Sequence, residues 1–183
     1  FGGCHTDWIT GAFVDERGQL SVVGGTASPD LPIVNGFQPY HMGGAFIGAD
    51  AFAARFSASG TNLLLSTFYG GSDDDYGEAI WTDRYGNMFL TGYTYSLDFP
   101  MVDPLDDFMN ADTADAFIGK IDALGNELGF SSYLGGHRAE GGWSVVVDDL
   151  RRAYFAGYTV SEDFPLADPL QGELLGSRDA YLT

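Results

Sequence analysis

The densest group of side chains that could do chemistry is a run of three adjacent carboxylates, Asp73, Asp74 and Asp75. Neighbouring carboxylates repel one another unless water, protons or a cation screens their charges. Calcium prefers several carboxylate and carbonyl oxygens on a flexible loop, and the flanking glycines could supply the carbonyls. The run lacks the Asp-x-Asp-x-Asp-Gly spacing of a calcium loop, so a solvated loop is the favoured interpretation. Calcium bound by Asp73, Asp74 and Asp75 is the alternative, and no other cofactor is predicted.

A second group has side chains typical of transition-metal ligands: Cys4, His5 and Asp7 near the start, with His41 and His137 further along. Metal binding would require these side chains to converge, which their spacing alone does not establish. Polar loop residues without a shared site are therefore the favoured interpretation. The sequence contains no Gly-x-Ser-x-Gly, His-Glu-x-x-His or phosphate-binding glycine motif, and it predicts no catalytic residue.

The charge balance excludes several classes of partner. The 183 residues include 8 basic and 26 acidic side chains, for a net charge of −18, and Lys120 is the only lysine. Nucleic-acid binding depends on Lys and Arg that displace counterions from phosphates, and docking on an anionic membrane has the same need. No uncharged apolar run approaches the length that spans a bilayer. A single cysteine, Cys4, excludes an intrachain disulfide framework.

The elements that must position these residues belong to an internal repeat. Phe-Tyr-Gly-Gly at 68–71 returns as Tyr-Leu-Gly-Gly at 133–136, and Thr-Gly-Tyr-Thr at 91–94 returns as Ala-Gly-Tyr-Thr at 156–159, both 65 residues later. A weaker copy, Val-Gly-Gly-Thr at 23–26, lies 68 residues before its counterpart. Such self-similarity is the signature of a repeat architecture.

The repeat divides the chain into three copies. We predict bounds of 1–68 for the first copy, which has a small loop insertion near 38–49, and of 69–133 for the second. The third copy, 134–183, stops before its fourth strand. Only the stretches 103–112 and 167–176 have a pattern that could hold a short helical turn.

Within a copy the pattern is that of antiparallel β structure. Strand-like runs at 78–82, 88–92, 116–121 and 127–134 are joined by turns rich in Gly, Asn and Asp. Four antiparallel strands repeated in tandem are typical of a β-propeller blade, and propellers close with about four to eight blades. The sequence therefore predicts an all-β fold of about three four-stranded blades, as an open arc or as part of a larger ring.

The repeat also separates structural residues from candidate site residues, because a side chain found in every copy most simply serves the blade. Three sets of aspartates occupy equivalent turn positions, where carboxylates accept backbone N–H bonds. These sets are Asp15, Asp83 and Asp148; Asp50, Asp115 and Asp179; and Asp30, Asp98 and Asp163. Trp8 and Tyr76 are equivalents beside the acidic run, and packing against a neighbouring blade is favoured over stacking on a sugar.

The second copy resembles the SBBP-type (seven-bladed β-propeller) repeat in the run from Tyr69 to Gly77, the turn 83–87, Thr-Gly-Tyr-Thr at 91–94 and Asp-Phe-Pro at 98–100. The third copy departs from the motif at 137–142 and has Arg151 at the turn glycine, while the first has Cys4 to Asp7 in place of Ser-Asp-Asp-Asp. SBBP-type repeats occur in large secreted or cell-surface proteins of bacteria and some archaea. The resemblance implies a surface location and a scaffold or adhesion role, and it carries no catalytic motif.

These observations predict a non-catalytic, extracellular or cell-surface module, processed or excised from a longer chain, that presents loops to protein or polysaccharide. Its expected partners are other protein chains or the remaining blades of the same protein. The alternative is the propeller part of a secreted hydrolase or lyase whose catalytic residues lie elsewhere. Since apolar burial is worth roughly 25 cal/mol per Å², an arc with open ends loses on the order of 10 kcal/mol for several hundred exposed Å².

Overall fold

A computed structural model describes residues 1–43, 48–110 and 113–183, and over these residues the chain forms eleven strands and no helix. Residues 44–47 of the predicted loop insertion, and residues 111–112 of one predicted helical turn, lie outside the described residues. The strand bounds are β1 (Asp7–Val14), β2 (Leu20–Thr26), β3 (Asp50–Phe56), β4 (Leu63–Tyr69), β5 (Asp75–Thr82), β6 (Met88–Thr94), β7 (Asp115–Ile121), β8 (Leu128–Leu134), β9 (Glu140–Val147), β10 (Ala153–Thr159) and β11 (Asp179–Leu182).

The strands form three separate antiparallel sheets in chain order. The first sheet has the order β1-β2-β3-β4, the second β5-β6-β7-β8, and the third has only β9-β10-β11. Every neighbouring pair is antiparallel, so each sheet is a simple meander. The all-β, propeller-like arrangement predicted from the repeat is confirmed, including the shorter third sheet. In the described part of the chain the sheets do not close on one another.

The sheets pack face to face along their first strands. The strand β5 lies against β1, β2 and β3 of the first sheet, and β9 lies against β5, β6 and β7 of the second. Gly11 of β1 shows how closely the first strands approach, because a Cβ at this position would lie 2.8 Å from the carbonyl oxygen of Glu78. The first strands therefore occupy the narrow side of the stack, as the inner strands of propeller blades do.

The repeated aromatic phrases build the core between the sheets. Tyr69, at the end of β4, is fully buried and packs 4.5 Å from the ring of Phe99 and 5.2 Å from that of Phe117. Its equivalent in the next copy, Leu134, lies in a second cluster with Phe164 and Tyr181, the equivalents of Phe99 and Phe117. A fully buried side chain of this size contributes about 1.5–3 kcal/mol, so these phrases hold adjacent sheets together.

The predicted turn aspartates are confirmed at the hairpins that follow the first strand of each sheet. Asp83 Oδ1 accepts hydrogen bonds from the backbone N–H of Tyr85 and Asn87, both at 2.9 Å. Asp15 and Asp148 accept equivalent bonds in the other two sheets. The third hairpin has Arg151 at φ 66°, where the second has Gly86 at φ 95°. A non-glycine residue in this left-handed region is strained.

The two stretches predicted to allow helical turns are irregular over their described residues, 103–110 and 167–176. Each has an aspartate before a proline at or next to its start, and Asp103 and Asp168 both have φ 46°. A residue before proline is kept out of the right-handed helical region by contact with the proline ring. None of the described residues form a helix that could cross a membrane.

Candidate functional site

The loop that joins one sheet to the next is fixed by a buried carboxylate at the start of each first strand. Asp75 Oδ2 accepts hydrogen bonds from the Gly71 N–H at 2.7 Å and the Ser96 hydroxyl at 2.9 Å. Asp98 Oδ1 accepts a bond from the Ser72 N–H at 2.8 Å, which ties the same loop to the Asp-Phe-Pro segment. Asp75 therefore serves the junction between the first and second sheets.

The same network recurs in the other copies. Asp7 accepts bonds from the Gly3 N–H and from the hydroxyls of Thr26 and Ser28, and Glu140 accepts bonds from the Gly136 N–H and the Thr159 hydroxyl. Asp30 and Asp163 bond the loop N–H groups of Cys4 and His137 as Asp98 bonds Ser72. The structural interpretation of this aspartate set is confirmed.

The three carboxylates of the acidic run have different roles. Asp74 Oδ1 accepts hydrogen bonds from the N–H groups of Gly48 at 3.0 Å and Ala49 at 3.1 Å, just before β3, whereas Asp75 turns into its own loop. Asp73 is partly exposed, and its N–H donates to the Ser96 hydroxyl. Over the described residues, no group of three or more His, Cys, Asp or Glu side chains is arranged to hold a metal ion. Calcium binding by Asp73, Asp74 and Asp75 stays a prediction.

A pair of buried carboxyl groups lies at the junction between the first two sheets. A Cβ placed on Gly70 would lie 2.6 Å from Asp75 Oδ2 and 2.9 Å from Asp50 Cγ, so the two carboxyl groups are neighbours. Both residues are fully buried, and Oδ1 of each has no hydrogen-bond partner among the described residues. Burial is the main cause that raises the pKa of Asp50 and of Asp75 to about 7, and nearby carboxylates add to it. The pair therefore retains a proton close to neutral pH.

The junction between the second and third sheets repeats this pair with Asp115 and Glu140. Asp115 is 1% exposed, neither of its carboxyl oxygens has a hydrogen-bond partner among the described residues, and its carboxyl group lies against Gly135. Burial, followed by the charges of Glu140 and Asp106, raises the pKa of Asp115 to about 8. Asp115 is therefore a neutral carboxylic acid at pH 7.

Sequence reasoning placed Asp50 and Asp115 in a structural set but missed their partners. Each pair is separated by 25 residues, from Asp50 to Asp75 and from Asp115 to Glu140, and this equal spacing is the signal that could have revealed them. Asp179, the third member of the set, accepts bonds from the Leu175 N–H and the Gln171 amide. It is only half-buried.

The candidate transition-metal ligands lie at three loops: Cys4, His5 and Asp7 share the first, and His41 and His137 lie in two others. The exposed Cys4 thiol contacts His5 Nδ1 at 2.9 Å, and a hydrogen bond with Asp30 is the main cause that raises the pKa of this thiol. His41 packs on Phe68 with its Nε2 3.2 Å from the Thr26 carbonyl oxygen. The exposed His137 contacts the carboxylate of its loop partner, Asp163. Each histidine therefore belongs to a different loop contact.

One buried basic residue also escaped the sequence reasoning. Arg55 of β3 is 4% exposed and donates to the Gly86 carbonyl oxygen at 2.5 Å and the Ala123 carbonyl oxygen at 3.3 Å, in two turns of the second sheet. Burial lowers the pKa of this guanidinium. Its equivalent, Lys120, instead rests over the ring of Phe89. A single Arg in an apolar strand was the available signal for this clamp between sheets.

Aromatic side chains form a strip near the starts of the first strands, which we call the aromatic strip: Trp8, Tyr76, Tyr93, Tyr95, Trp143 and Tyr158. The rings of Trp8 and Tyr76 lie 5.9 Å apart across the first junction, which confirms the packing predicted for them. Tyr76 stacks on Tyr93 at 4.9 Å, and Tyr93 meets Tyr95 at 6.3 Å. On the third sheet, the rings of Trp143 and Tyr158 lie 4.9 Å apart. The strip thus extends over all three sheets.

The third sheet has an open edge at β11. On one side, β11 pairs with β10, and the N–H and carbonyl groups of Phe155 and Thr183 bond each other there. On its other side, β11 has no strand beside it among the described residues. A hollow of about 650 Å³ adjoins this edge, and its lining includes Phe164, Leu166, Leu170 and Tyr181. Leu166 and Leu170 are exposed. Among the residues that the structure describes, none covers the apolar surface formed by this edge and its hollow.

In comparisons with known proteins, no family model and no curated protein matches the chain. The resemblance to SBBP-type repeats therefore rests on the repeated motif within the sequence.

Proposed function

We propose that the chain is a non-catalytic interaction module of the SBBP type, a propeller segment of an extracellular or cell-surface scaffold that docks further protein through the open edge of its third sheet. The observation that carries the proposal is the free edge of β11 beside an apolar hollow. The predicted surface location is supported by the resemblance of the repeat motif.

The first two sheets indicate what would cover this edge. Their fourth strands, β4 and β8, each pair with the third strand of the sheet. Each fourth strand also pairs with the loop between the second and third strands, through the bridges Val34–Ser66 and Val102–Ser131. In the third sheet the corresponding loop, 161–178, meets no fourth strand among the described residues. A strand supplied by another chain, or by the remaining blades of the same protein, would pair with β11 and cover the loop.

The energetics favour such a strand. Leu170 and Leu175 are at least three-quarters exposed beside the hollow, at 110% and 76%. Covering a leucine side chain is worth about 1.5–3 kcal/mol, and the main-chain bonds of an added strand fix its register. A long, apolar, unpaired edge is a site that proteins normally pair or cover.

The register of β11 identifies the groups that would pair. Bonds between Phe155 and Thr183, together with the alternation of an antiparallel ladder, direct the N–H and carbonyl groups of Ala180 and Leu182 to the free side. Ala180→Pro therefore removes an N–H from the free edge without removing a bond to β10.

The test uses a peptide with the sequence of residues 127–134, which includes the fourth strand of the second sheet. We expect isothermal titration calorimetry to show binding to the full chain, at least about 10-fold weaker binding to Ala180→Pro, and none for the scrambled peptide. Leu182→Lys is a second variant: it keeps the backbone donors of the edge but replaces an apolar side chain that lines the hollow with a charged one. Equal binding of the scrambled peptide, or unchanged binding by both variants, would refute docking at this edge.

A further inference from the structure

The aromatic strip has partly exposed rings and acidic neighbours, and neither feature is used by the open edge of the third sheet. We infer that the strip binds a basic, Arg-containing segment of a protein partner. This inference rests on the proposed interaction role but concerns a different surface, so the two proposals can fail separately.

The strip presents ring surface to solvent at two of its members, one beside the second sheet and one on the third. Tyr95 is 39% exposed and Trp143 is 55% exposed, although both belong to ring clusters that are otherwise half-buried. Trp143 is also the extra residue of a bulge in β9, where the register with β10 shifts between Gly142 and Ser144. Bulges redirect side chains, and this one leaves the indole on the surface.

Two acidic side chains lie close to the rings: the partly exposed Glu78 and the buried Asp74. Burial and then the charge of Glu78 raise the pKa of Tyr93 to about 12, with Tyr95 and Asp74 as further contributors. Burial and then Asp74 raise the pKa of Tyr76, and Asp74 also hydrogen-bonds the Tyr76 hydroxyl. The local electrostatic field therefore favours a cation and disfavours an anion.

Within the chain, one ring of the strip already lies under a guanidinium group. Arg178 Cζ lies 4.1 Å from the centre of the Tyr158 ring, which is the shortest such distance among the described residues. Of the eight basic residues, five lie over aromatic rings, so the chain has few basic side chains left to occupy the rest of the strip. Further cations must come from a partner, to which a net charge of −18 also attracts basic segments.

Arginine fits this surface better than lysine because its planar guanidinium stacks on a ring face while its N–H groups bond carboxylates. Two arginines of one segment would place one guanidinium over the exposed ring of Tyr95 and another over that of Trp143. Loss of two ring contacts is expected to weaken such binding by about 10-fold.

The experiment titrates the full chain with a peptide of four Gly-Arg repeats, and in parallel with the Gly-Lys and Gly-Gln versions and with cellohexaose, a neutral oligosaccharide. We expect the Gly-Arg peptide to bind most tightly, and a Tyr95→Ala/Trp143→Ala variant to bind it about 10-fold more weakly. Tyr40→Ala is the matched control, because Tyr40 is 75% exposed and lies outside the strip. It should change the affinity by less than about twofold.

Glu78→Gln tests the charge independently, since it keeps the ring contacts and should weaken the Gly-Arg peptide severalfold. Equal losses in the strip variant and in Tyr40→Ala would mean diffuse attraction to an acidic chain and would overturn the inference. Binding of cellohexaose that the strip variant abolishes would assign the strip to sugar instead. The 127–134 peptide should still bind the strip variant, which shows that the fold and the edge site are intact.

Discussion

Asp115 provides the sharpest test of the buried carboxyl pairs, through the pH dependence of stability. Burial, with Glu140 and Asp106 nearby, raises its pKa to about 8 in the folded chain, against an ordinary value near 3.8. Between these values the folded chain holds a proton that the unfolded chain has released. The free energy of unfolding must therefore fall as the pH rises, because the folded state binds more protons.

The magnitude follows from one proton. A proton bound only by the folded state changes the free energy of unfolding by about 1.4 kcal/mol per pH unit. From pH 5 to pH 7, Asp115 alone should lower the stability by about 3 kcal/mol, a large share of the 5–15 kcal/mol of a typical domain. The pair of Asp50 and Asp75 should act in the same direction, while Asp148, whose pKa is lowered by the Arg152 N–H, titrates below this window.

The assay is urea unfolding of the wild type and of Asp115→Asn at pH 5 and pH 7, at one protein concentration. Asparagine resembles the protonated acid in shape and never ionises, so the variant should gain about 3 kcal/mol relative to the wild type between these two pH values. Asp107→Asn is the control, because Asp107 is exposed and its loss changes only the general charge repulsion. A wild type that becomes more stable from pH 5 to pH 7, or an equal pH response in both variants, would refute the reasoning.

Three further predictions concern single side chains. Arg55→Met should lower the free energy of unfolding by about 3 kcal/mol in a urea titration, because two carbonyl groups lose a charged donor. Lys120→Met should lower it by less than about 1 kcal/mol in the same titration, and equal losses would contradict the clamp formed by Arg55. Arg151→Gly should raise stability by about 1 kcal/mol through release of a positive φ, and a loss in thermal unfolding would count against strain there. CaCl₂ and NaCl at equal ionic strength should raise the melting temperature equally, since Asp74 already accepts two backbone N–H bonds. A larger rise in melting temperature with CaCl₂ that Asp73→Asn removes would establish a calcium site.

The sequence predicted those features of the fold that repeat within one copy. The strand order, the hairpin aspartates such as Asp83 and the shorter third sheet all follow from local patterns and from comparison between copies. Comparison between copies also distinguishes Asp75 from Asp73, because only the position of Asp75 is acidic in every copy, as Asp7 and Glu140. Features fixed by turn chemistry and by repetition are therefore accessible before the structure.

Contacts between sheets were harder to predict because they depend on how the sheets stack. The proximity of Asp115 to Glu140 arises only when the start of β9 packs beside the start of β7, and Arg55 reaches turns that lie far along the chain. The aromatic strip likewise unites Tyr76, Tyr93 and Tyr158 from different strands. No local pattern indicates which face of a blade meets the next, so these pairings required the structure.

The central claim is that the chain forms an arc of stacked sheets whose open edge and end faces need a neighbour. Sedimentation velocity of the purified 183-residue chain tests it most directly. We predict assemblies with a mass at least twice the 19.7 kDa of one chain, reduced in size by the Ala180→Pro edge variant. A monodisperse 19.7 kDa species that unfolds in one cooperative transition, with or without that substitution, would contradict the account.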